Sequence, residues 1–495
     1  TDGSNGYALT TNGSGVLSWA QSGGGTPSDG TITAAKIATG LQLVTTDAQN
    51  NTVAGTTAGD SFTGTSAEHN TLIGNEAGTA NTTGDKNSAL GSRALAANTT
   101  GSRNTSIGYA SLYANTTASN NTAVGYEALI ANTTGAQNTA LGRSALVANT
   151  TGTNNTAVGY ASAYGITTGQ YNTSIGINNL YNNNTSNNTA VGYSALGWSS
   201  GDANTAVGAM AAASNTSGAN NTAVGYNALT TNTTGTNLVA VGANALDANT
   251  SGNNSTAVGV SSLTANTTGD LNTACGRLAL AFNTTGDQNV ALGEGALEAN
   301  TTASFNTGIG TKALQANTTG TENVAIGYQA GDTQTTASYN TIVGSIAGQA
   351  LTTGGENTAV GRAALNLTTT ATQSVAIGAL ALSSNTTGNK NTAIGYKALD
   401  DNTTGDFNVA VGISALQSNT TADGNSAFGR EALFSNTTGA NNVAVGNGAL
   451  YTNTTADNNT AVGSNALLLN TTGTQNVAVG HDALEASTTA NNNTA

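Results

Sequence analysis

The chain has 495 residues with 64 glycines but a single proline, cysteine and methionine, and 7% of its residues are charged, against about 25% in an ordinary soluble domain. Its 11 basic and 25 acidic residues give a net charge of −14 without a basic cluster, which argues against nucleic-acid binding. One cysteine cannot build a disulfide framework or a cysteine zinc site, and no apolar run reaches the roughly 18 residues of a membrane span.

Residues 1–50 differ from the rest of the chain. They contain Pro27, three consecutive glycines at 23–25 and an apolar patch around Trp19. The stretch from Thr31 to Val44 is compatible with strands. We predict an attachment or linker segment over residues 1–50 and a repeat array over residues 51–495.

The array repeats the pattern NTAVGYxALxxNTTGxx. We number each repeat from the glycine that ends NTAVG, which is position 0. There are 25 such glycines from Gly74 to Gly480, and their spacing is 17 residues except for two intervals of 16 that flank Gly192. Such a fixed period indicates one continuous repeat architecture.

Each position of the repeat has its own composition. Position −1 is always apolar, position −2 is Ala in 20 of 25 repeats, position +3 is Ala in 21, and position +4 is Leu in 20. Position +1 instead varies among residues such as Tyr126, Arg143 and Glu294. We therefore expect position −1 to face a core and position +1 to face solvent.

The period favours strands. Each repeat is rich in Asn, Thr and Gly, which are poor helix formers, and its apolar residues lie in short pieces separated by turn sequences. The sequence predicts an all-β fold, a parallel β-solenoid (β-roll) of about 25 coils with two short strands per coil. Stacking at about 4.8 Å per coil implies a rod of roughly 120 Å.

Two turn residues have specific expected roles. The position-0 glycine should adopt positive φ at a corner, so Gly327→Val should be strained. The Asn of NTTG should adopt left-handed geometry and bond its own backbone at a second corner, and stacked Asn and Thr should form hydrogen-bonded ladders.

The two short repeats predict tighter turns around residues 184–188 and 197–201. A one-residue deletion inside a strand would turn every later side chain to the opposite face, yet the pattern resumes at Val191 and Val207. We expect Trp198 to cover the shortened corner.

Lateral association is a further expectation. Side chains alternate along a strand, so positions −2 and −1, and likewise +3 and +4, should lie on opposite faces. Because both members of each pair are restricted, the outer face should pack against other copies, most simply in a homotrimer. The alternative is that Ala merely suits a tight bend.

Several segments resemble known fibrous proteins. Asn323–Gly327 and Asn408–Gly412 resemble the head repeats of YadA-type trimeric autotransporter adhesins, and Asn121–Gly135 is similar to repeat arrays of phage tail fibres. The stretch from Asp2 to Gly15 is similar to segments of virion proteins. The resemblance implies a left-handed trimeric β-roll, although this repeat is longer in the NTTG turn.

Catalysis is not expected. His69 and His481 lie near opposite ends of the array, and Cys275 occupies position −1, where we expect a small buried hydrophobe. No GxxxxGK[ST] or GGxGxD motif is present, so we predict no cofactor and no metal. The sequence predicts that the protein is not an enzyme.

Two carboxylate pairs are candidates for a glycosidase site, which needs two carboxyl groups roughly 5–9.5 Å apart in a cleft. They are Glu294 with Glu298, and Asp400 with Asp401. Both pairs fall at variable positions of a uniform rod. Arg277 and Glu294 occupy position +1 of successive repeats and should form a surface ion pair of small energetic value.

The favoured function is a structural shaft of a phage tail fibre or similar virion appendage, which holds a host-receptor-binding tip away from the particle. The alternative is a secreted cell-surface adhesin or extracellular fibre whose rod binds host glycans or a protein receptor. An ice-binding surface and dense N-glycosylation at the Asn-x-Thr sequons are weaker alternatives. The candidate glycan contacts are the seven Tyr residues at position +1: Tyr109, Tyr126, Tyr160, Tyr193, Tyr226, Tyr328 and Tyr396.

Overall fold

The computed structural model describes residues 7–11, 17–21, 45–63, 66–182 and 184–495. These residues contain strands and turns but no helix. The chain divides into two compact units, Thr1–Asn187 and Asn188–Ala495. Pro27, the three glycines and the stretch from Thr31 to Val44 lie outside the described residues.

Three strands precede the array. Strands β1 (Tyr7–Thr11) and β2 (Leu17–Gln21) form an antiparallel pair in which Leu9 lies opposite Trp19. Strand β3 (Thr45–Thr46) pairs antiparallel with β4 (Thr52–Ala54).

The remaining strands belong to the coils. Most are three residues long and correspond to positions −3 to −1. They are β5 (Thr71–Ile73), β6 (Ser88–Leu90), β7 (Thr105–Ile107), β8 (Thr122–Val124), β9 (Thr139–Leu141), β10 (Thr156–Val158), β11 (Thr173–Ile177), β12 (Thr189–Tyr193), β13 (Thr205–Val207), β14 (Thr222–Val224), β15 (Val239–Val241), β16 (Thr256–Val258), β17 (Thr273–Cys275), β18 (Val290–Leu292), β19 (Thr307–Ile309), β20 (Val324–Ile326), β21 (Thr341–Val343), β22 (Thr358–Val360), β23 (Val375–Ile377), β24 (Thr392–Ile394), β25 (Val409–Val411), β26 (Ser426–Phe428), β27 (Val443–Val445), β28 (Thr460–Val462) and β29 (Val477–Val479).

Within each unit, successive coil strands pair in parallel with equivalent residues side by side. Ala123 lies beside Ala140 in the first unit, and Val324 lies beside Thr341 in the second. The predicted β-solenoid of about 25 coils is confirmed. The structure adds a coil strand that the pattern did not include. Strand β4 is followed by Gly55, 19 residues before Gly74, and it pairs in parallel with β5.

Each coil contains one strand, and the prediction of two strands was wrong. Positions +1 to +6 form a turn in which φ is positive at +2 and +4, for example 55° at Glu127 and 51° at Leu129. The Glu127 N–H donates to the Tyr109 carbonyl of the preceding coil, and the Leu129 N–H donates to the Ala145 carbonyl of the next coil, both at 3.0 Å. These bonds hold a left-handed backbone that L-residues otherwise rarely adopt.

The turn geometry also determines which side chains are buried. Ala128 at +3 and Leu129 at +4 are both 0% exposed, so the expectation that they face opposite sides was wrong. Strand alternation applies only to an extended backbone, and the left-handed residues at +2 and +4 remove that alternation here. The interior therefore contains Ala at −2, Ala at +3 and Leu at +4.

The position-0 glycines confirm the predicted corner. Gly327 has φ 139°, and a Cβ atom placed on it would lie 2.5 Å from the carbonyl oxygen of Gly344 in the next coil. Both the backbone conformation and the close approach of the next coil exclude a side chain at this position.

Asparagine ladders form the polar part of the interior. At position +7, Asn132 donates from Nδ2 to Asn115 Oδ1 at 3.0 Å and to the carbonyl of Gly135 at 2.9 Å. At position −4, the Asn138 N–H donates to Asn121 Oδ1 at 2.9 Å. The predicted ladders and own-backbone bonds are confirmed, but Asn132 is not left-handed; Gln137 at −5 is, with φ 61°.

The two short repeats lose their residue in the NTTG turn. In the second short repeat, Gly201 lies beside Gly218, which occupies position +10 of the next coil, so Gly201 is the equivalent of position +10. The Trp198 N–H donates to the Ala213 carbonyl, and Trp198 occupies position +6. Only Ser199 and Ser200 lie between these two positions, where an ordinary repeat has three residues. Thr189–Val191 pairs in register with Thr205–Val207, which confirms that the later strands keep their register. Trp198 is 66% exposed and therefore does not fill interior space.

Candidate functional site

The outer face of the parallel sheet is the most distinctive surface of each unit. Positions −3 and −1 point outward, because Ala at −2 points inward and is 0% exposed in Ala123 and Ala325. From β4 to β29, position −3 is always Thr, Val or Ser, and position −1 is Val, Ile or Leu apart from Ala54, Cys275 and Phe428. We call these two rows of side chains the TV face.

The expectation that position −1 faces the core of the coil was wrong. Leu90 is 50% exposed and Ile326 is 37% exposed. Cys275 is half-buried on the same face and so is not the buried hydrophobe that its position suggested. Inward Ala is small enough for the thin coil, whereas the larger Val, Ile and Leu are placed outside.

The TV face contains no charged residue in any coil strand. Contiguous apolar surface of this kind marks interaction sites in soluble proteins, since a monomer otherwise leaves it in contact with water. The hydroxyls of Thr and Ser and the thiol of Cys275 are the polar groups of its side chains. Such a surface can bury area against a flat partner.

The predicted glycan-contact tyrosines do lie on the surface at position +1. Their exposed fractions run from 43% at Tyr109 to 59% at Tyr226. All seven side chains are therefore accessible to a ligand.

Four residues at position +1 stack on one another along the first unit. The rings of Tyr109 and Tyr126 are 5.4 Å apart and 18° from parallel, and the Arg143 guanidinium lies 5.6 Å from the Tyr126 centroid and 5.7 Å from that of Tyr160. Both faces of Tyr126 are thus occupied. A sugar ring cannot stack on it face-on, although the hydroxyl edge stays accessible.

A neighbouring carboxylate changes the ionisation of Tyr126. Glu127 accepts a hydrogen bond from the Tyr126 hydroxyl and raises the pKa of that phenol, and the negative charge of Glu127 acts in the same direction. Tyr126 therefore stays protonated and is suited to hydrogen bonding rather than to acid–base work.

The two candidate catalytic histidines belong to different units of the chain. His69 belongs to the first unit and His481 to the second, and His481 Nδ1 lies 2.8 Å from Asp482 Oδ2 at an exposed position. The predicted surface ion pair between Arg277 and Glu294 is confirmed.

The carboxylate pairs are engaged in local bonds. Glu298 Oε2 accepts from Gln315 Nε2 at 2.6 Å, and Asp400 Oδ2 lies 3.6 Å from Lys397 Nζ. Burial and the neighbouring Asp400 raise the pKa of Asp401.

Across the described residues, His, Cys, Asp and Glu form no group of three or more that could hold a metal ion. The described part of the chain also contains no long apolar helix of membrane-spanning length. No protein-family model, curated protein or solved structure matches this chain.

The sequence predicts the exposed tyrosine row and a restricted outer face, but it predicts the wrong side of the strand to be outside. Positions −3 and −1 both lack charge in every repeat. An invariant apolar position is usually buried, which is why position −1 is expected in the interior.

Proposed function

We propose that this chain is the structural shaft of a fibre, of the kind found in phage tail fibres, in which parallel copies pack through their TV faces. The shaft holds a host-receptor-binding tip away from the virion; an extracellular fibre is the alternative setting. The observation that carries the proposal is the TV face, an uncharged apolar surface present in every coil strand. The similarity of Asn121–Gly135 to tail-fibre repeats supports the virion setting.

The partner that best fits the TV face is another copy of the chain. A second parallel copy presents the same row of Thr, Val and Ile at the same spacing of about 4.8 Å per coil. Matching side chains therefore meet at every level without a change of register. Three copies around one axis, the proposed homotrimer, cover every TV face.

The magnitudes favour association. Burying the exposed half of one Val or Ile contributes about 1 kcal/mol. The second unit alone has 18 coil strands, from Thr189–Tyr193 to Val477–Val479. The free energy gained by burying the outer side chains of all these strands exceeds the free-energy cost of association, which is about 4–15 kcal/mol.

The interior of the coil suits a stiff spacer. Each coil is joined to the next by parallel strand pairing and by hydrogen bonds through buried Asn side chains, such as Asn138 to Asn121 and Asn132 to Asn115. Bending the shaft would stretch bonds on one side of every coil, so stiffness follows from repetition. A stiff array of coils suits a spacer.

Sedimentation equilibrium tests the assembly. The chain mass is 48.3 kDa, and we expect about three times this mass at micromolar concentration. The double variant Ile326→Lys/Ile377→Lys should dissociate, because two charges on each copy would be buried in the interface. Tyr328→Lys/Tyr396→Lys is the matched control at position +1 and should remain assembled. A monomer mass for the unmodified chain would overturn the proposal.

The single cysteine gives an independent test. Cys275 lies on the TV face, so parallel copies in register bring their Cys275 side chains to the same level. Mild oxidation should produce covalent dimers on a denaturing gel. Cys275→Val combined with Tyr328→Cys moves the thiol to position +1 and should give no covalent dimers. Equal cross-linking of both proteins would contradict packing through the TV face.

The shaft role has its own test. Antibodies against residues 300–450 should label fibres along their length in electron micrographs of intact particles. Labelling confined to fibre tips, or absent from fibres, would contradict the shaft role while leaving the assembly result unchanged.

A further inference from the structure

A surface groove of about 460 Å³ crosses four coils of the second unit on the corner that precedes the strands. Its long side consists of Glu356, Gln373, Lys390 and Phe407, all at position −5, and Asn389 and Asp406 at position −6 lie beside them. We call this depression the Phe407 groove. It is separate from the TV face and from the tyrosines at position +1.

Phe407 gives the groove an accessible aromatic ring. It is 57% exposed, and the Lys390 ammonium lies 5.1 Å from the ring centroid. The next coil has Gly424 at position −5, so the chain supplies no ring to stack on Phe407 from that side. In contrast, Phe434 and Tyr451 stack on each other at 5.1 Å and 5°.

The polar groups of the groove are held in place by bonds between coils. Gln373 Nε2 donates to Glu356 Oε2 at 2.9 Å, and the Asn389 N–H donates to Asp406 Oδ1. Among the described residues, Lys390 has no carboxylate within ion-pair distance. Its ammonium donors remain available, while the second oxygens of Glu356 and Asp406 can accept.

We propose that the Phe407 groove binds a neutral oligosaccharide, with its terminal sugar ring lying against the face of Phe407 that points toward Gly424 and the following sugar units lying along the groove toward Glu356. The C–H face of a sugar ring is apolar and suits an exposed aromatic side chain, while its hydroxyls bond to carboxylate, amide and ammonium groups. The distance from the Glu356 coil to the Phe407 coil is three coil spacings, about 14 Å. This length suits two or three sugar units.

Charge selects neutral sugars over acidic ones. Glu356 and Asp406 outnumber the single cation Lys390, and the whole chain has a net charge of −14. A sugar carboxylate would be repelled by two groove carboxylates, which would offset its attraction to Lys390. Uncharged hydroxyls can instead use both kinds of group.

Titration with a defined panel tests the proposal. The probes are maltopentaose, cellopentaose, laminaripentaose and chitopentaose as neutral ligands, and oligogalacturonate and oligosialic acid as acidic ligands. Saturation-transfer NMR with the full chain should detect at least one neutral ligand, with all acidic ligands weaker. Phe407→Ala should lower the affinity at least tenfold, and Lys390→Gln should lower it several-fold.

Phe305→Ala is the matched control. Phe305 also occupies position −5 and is 53% exposed, but it lies outside the groove. This variant should bind like the unmodified chain, and circular dichroism should show all three variants folded. The proposal is overturned if no neutral ligand binds, if acidic ligands bind more tightly, or if Phe407→Ala has no larger effect than Phe305→Ala.

Discussion

Two stretches of the second unit differ in their ladder at position +7. From Asn385 to Asn470 every repeat has Asn at this position. Each Asn that follows Asn385 in the sequence donates to the Oδ1 of the Asn one repeat earlier, as Asn419 does to Asn402 at 2.8 Å. Between Asn317 and Asn385 the position is Gln334, Leu351 and Thr368 instead. We call these the continuous and the interrupted stretch.

The interrupted stretch leaves buried polar atoms without a partner. Asn317 Oδ1 is one of them, because Gln334 does not replace the donor of the missing Asn, and Thr368 Oγ1 is another. The strands nevertheless remain in register through this stretch, as Val343 beside Val360 and Val360 beside Ile377 show. Strand pairing therefore determines the coil, and the ladder at +7 adds stability to it.

The largest expected effect is loss of a ladder member in the continuous stretch. Asn419→Leu removes the donor to Asn402 Oδ1 and the acceptor of Asn436 Nδ2. Since each buried polar group left unpaired costs about 1–3 kcal/mol, we expect destabilisation of about 2–5 kcal/mol. Amide hydrogen exchange in the coils that contain residues 402–436 measures it. Unchanged protection would mean that the ladder contributes nothing.

The second-largest expected effect is the loss of stability when a position-0 glycine is replaced, and it should be equal in both stretches. Gly327→Val and Gly412→Val place a β-branched residue at φ 139° and 141°, which costs about 1–3 kcal/mol in strain alone. The close approach of the next coil adds to this cost. Gly480→Val is the control, because this glycine has φ 140° but a Cβ atom on it would lie no closer than 3.9 Å to its nearest neighbour, Ala483 Cβ. Urea unfolding should show Gly327→Val and Gly412→Val destabilised by similar amounts and Gly480→Val destabilised less.

A smaller effect of opposite sign is expected at Thr368. Its hydroxyl is buried without a hydrogen-bond partner, so Thr368→Val removes an unpaired polar atom at nearly constant volume. We expect stabilisation of up to about 1 kcal/mol, measured by the same unfolding assay. Destabilisation of similar size would show that the hydroxyl has a partner in solution.

The smallest effect concerns pH. Burial raises the pKa of the half-buried Asp332, against the opposing charge of Lys312 and hydrogen bonds from Gln349 and Gln329. A raised pKa in the folded state stabilises the fold below the carboxyl's unfolded pKa, and this contribution is lost as pH rises through the folded pKa. Asp332→Asn should therefore be more stable than the unmodified chain at pH 7, by less than about 1 kcal/mol.

Thermal unfolding of both proteins at pH 3 and pH 7 tests this sign. The difference between them should be larger at pH 7 and should shrink at pH 3, where Asp332 is protonated. Asp270→Asn is a control at a carboxylate in another part of the repeat. A larger difference at pH 3 would contradict the assignment.

The repeat by itself determined the solenoid, its period, the positive φ of the position-0 glycines and the location of the two shortened turns. These follow from local rules, because a 17-residue period with a glycine corner permits few backbone paths. The ladders were also predictable, since identical Asn residues stack once coils are in register. The groove at Phe407 was not, because it depends on which variable residues become neighbours across four coils.

Only the tertiary structure decided which face of the strand is inside. The pattern T-A-V is compatible with either orientation, and alternation fixes only that Ala and Val lie on opposite sides. The coil is thin because each contributes a single three-residue strand, such as Val324–Ile326, and its interior already holds Leu at +4 and the Asn ladders. That space admits Ala325 and places Ile326 outside, and this choice creates the TV face.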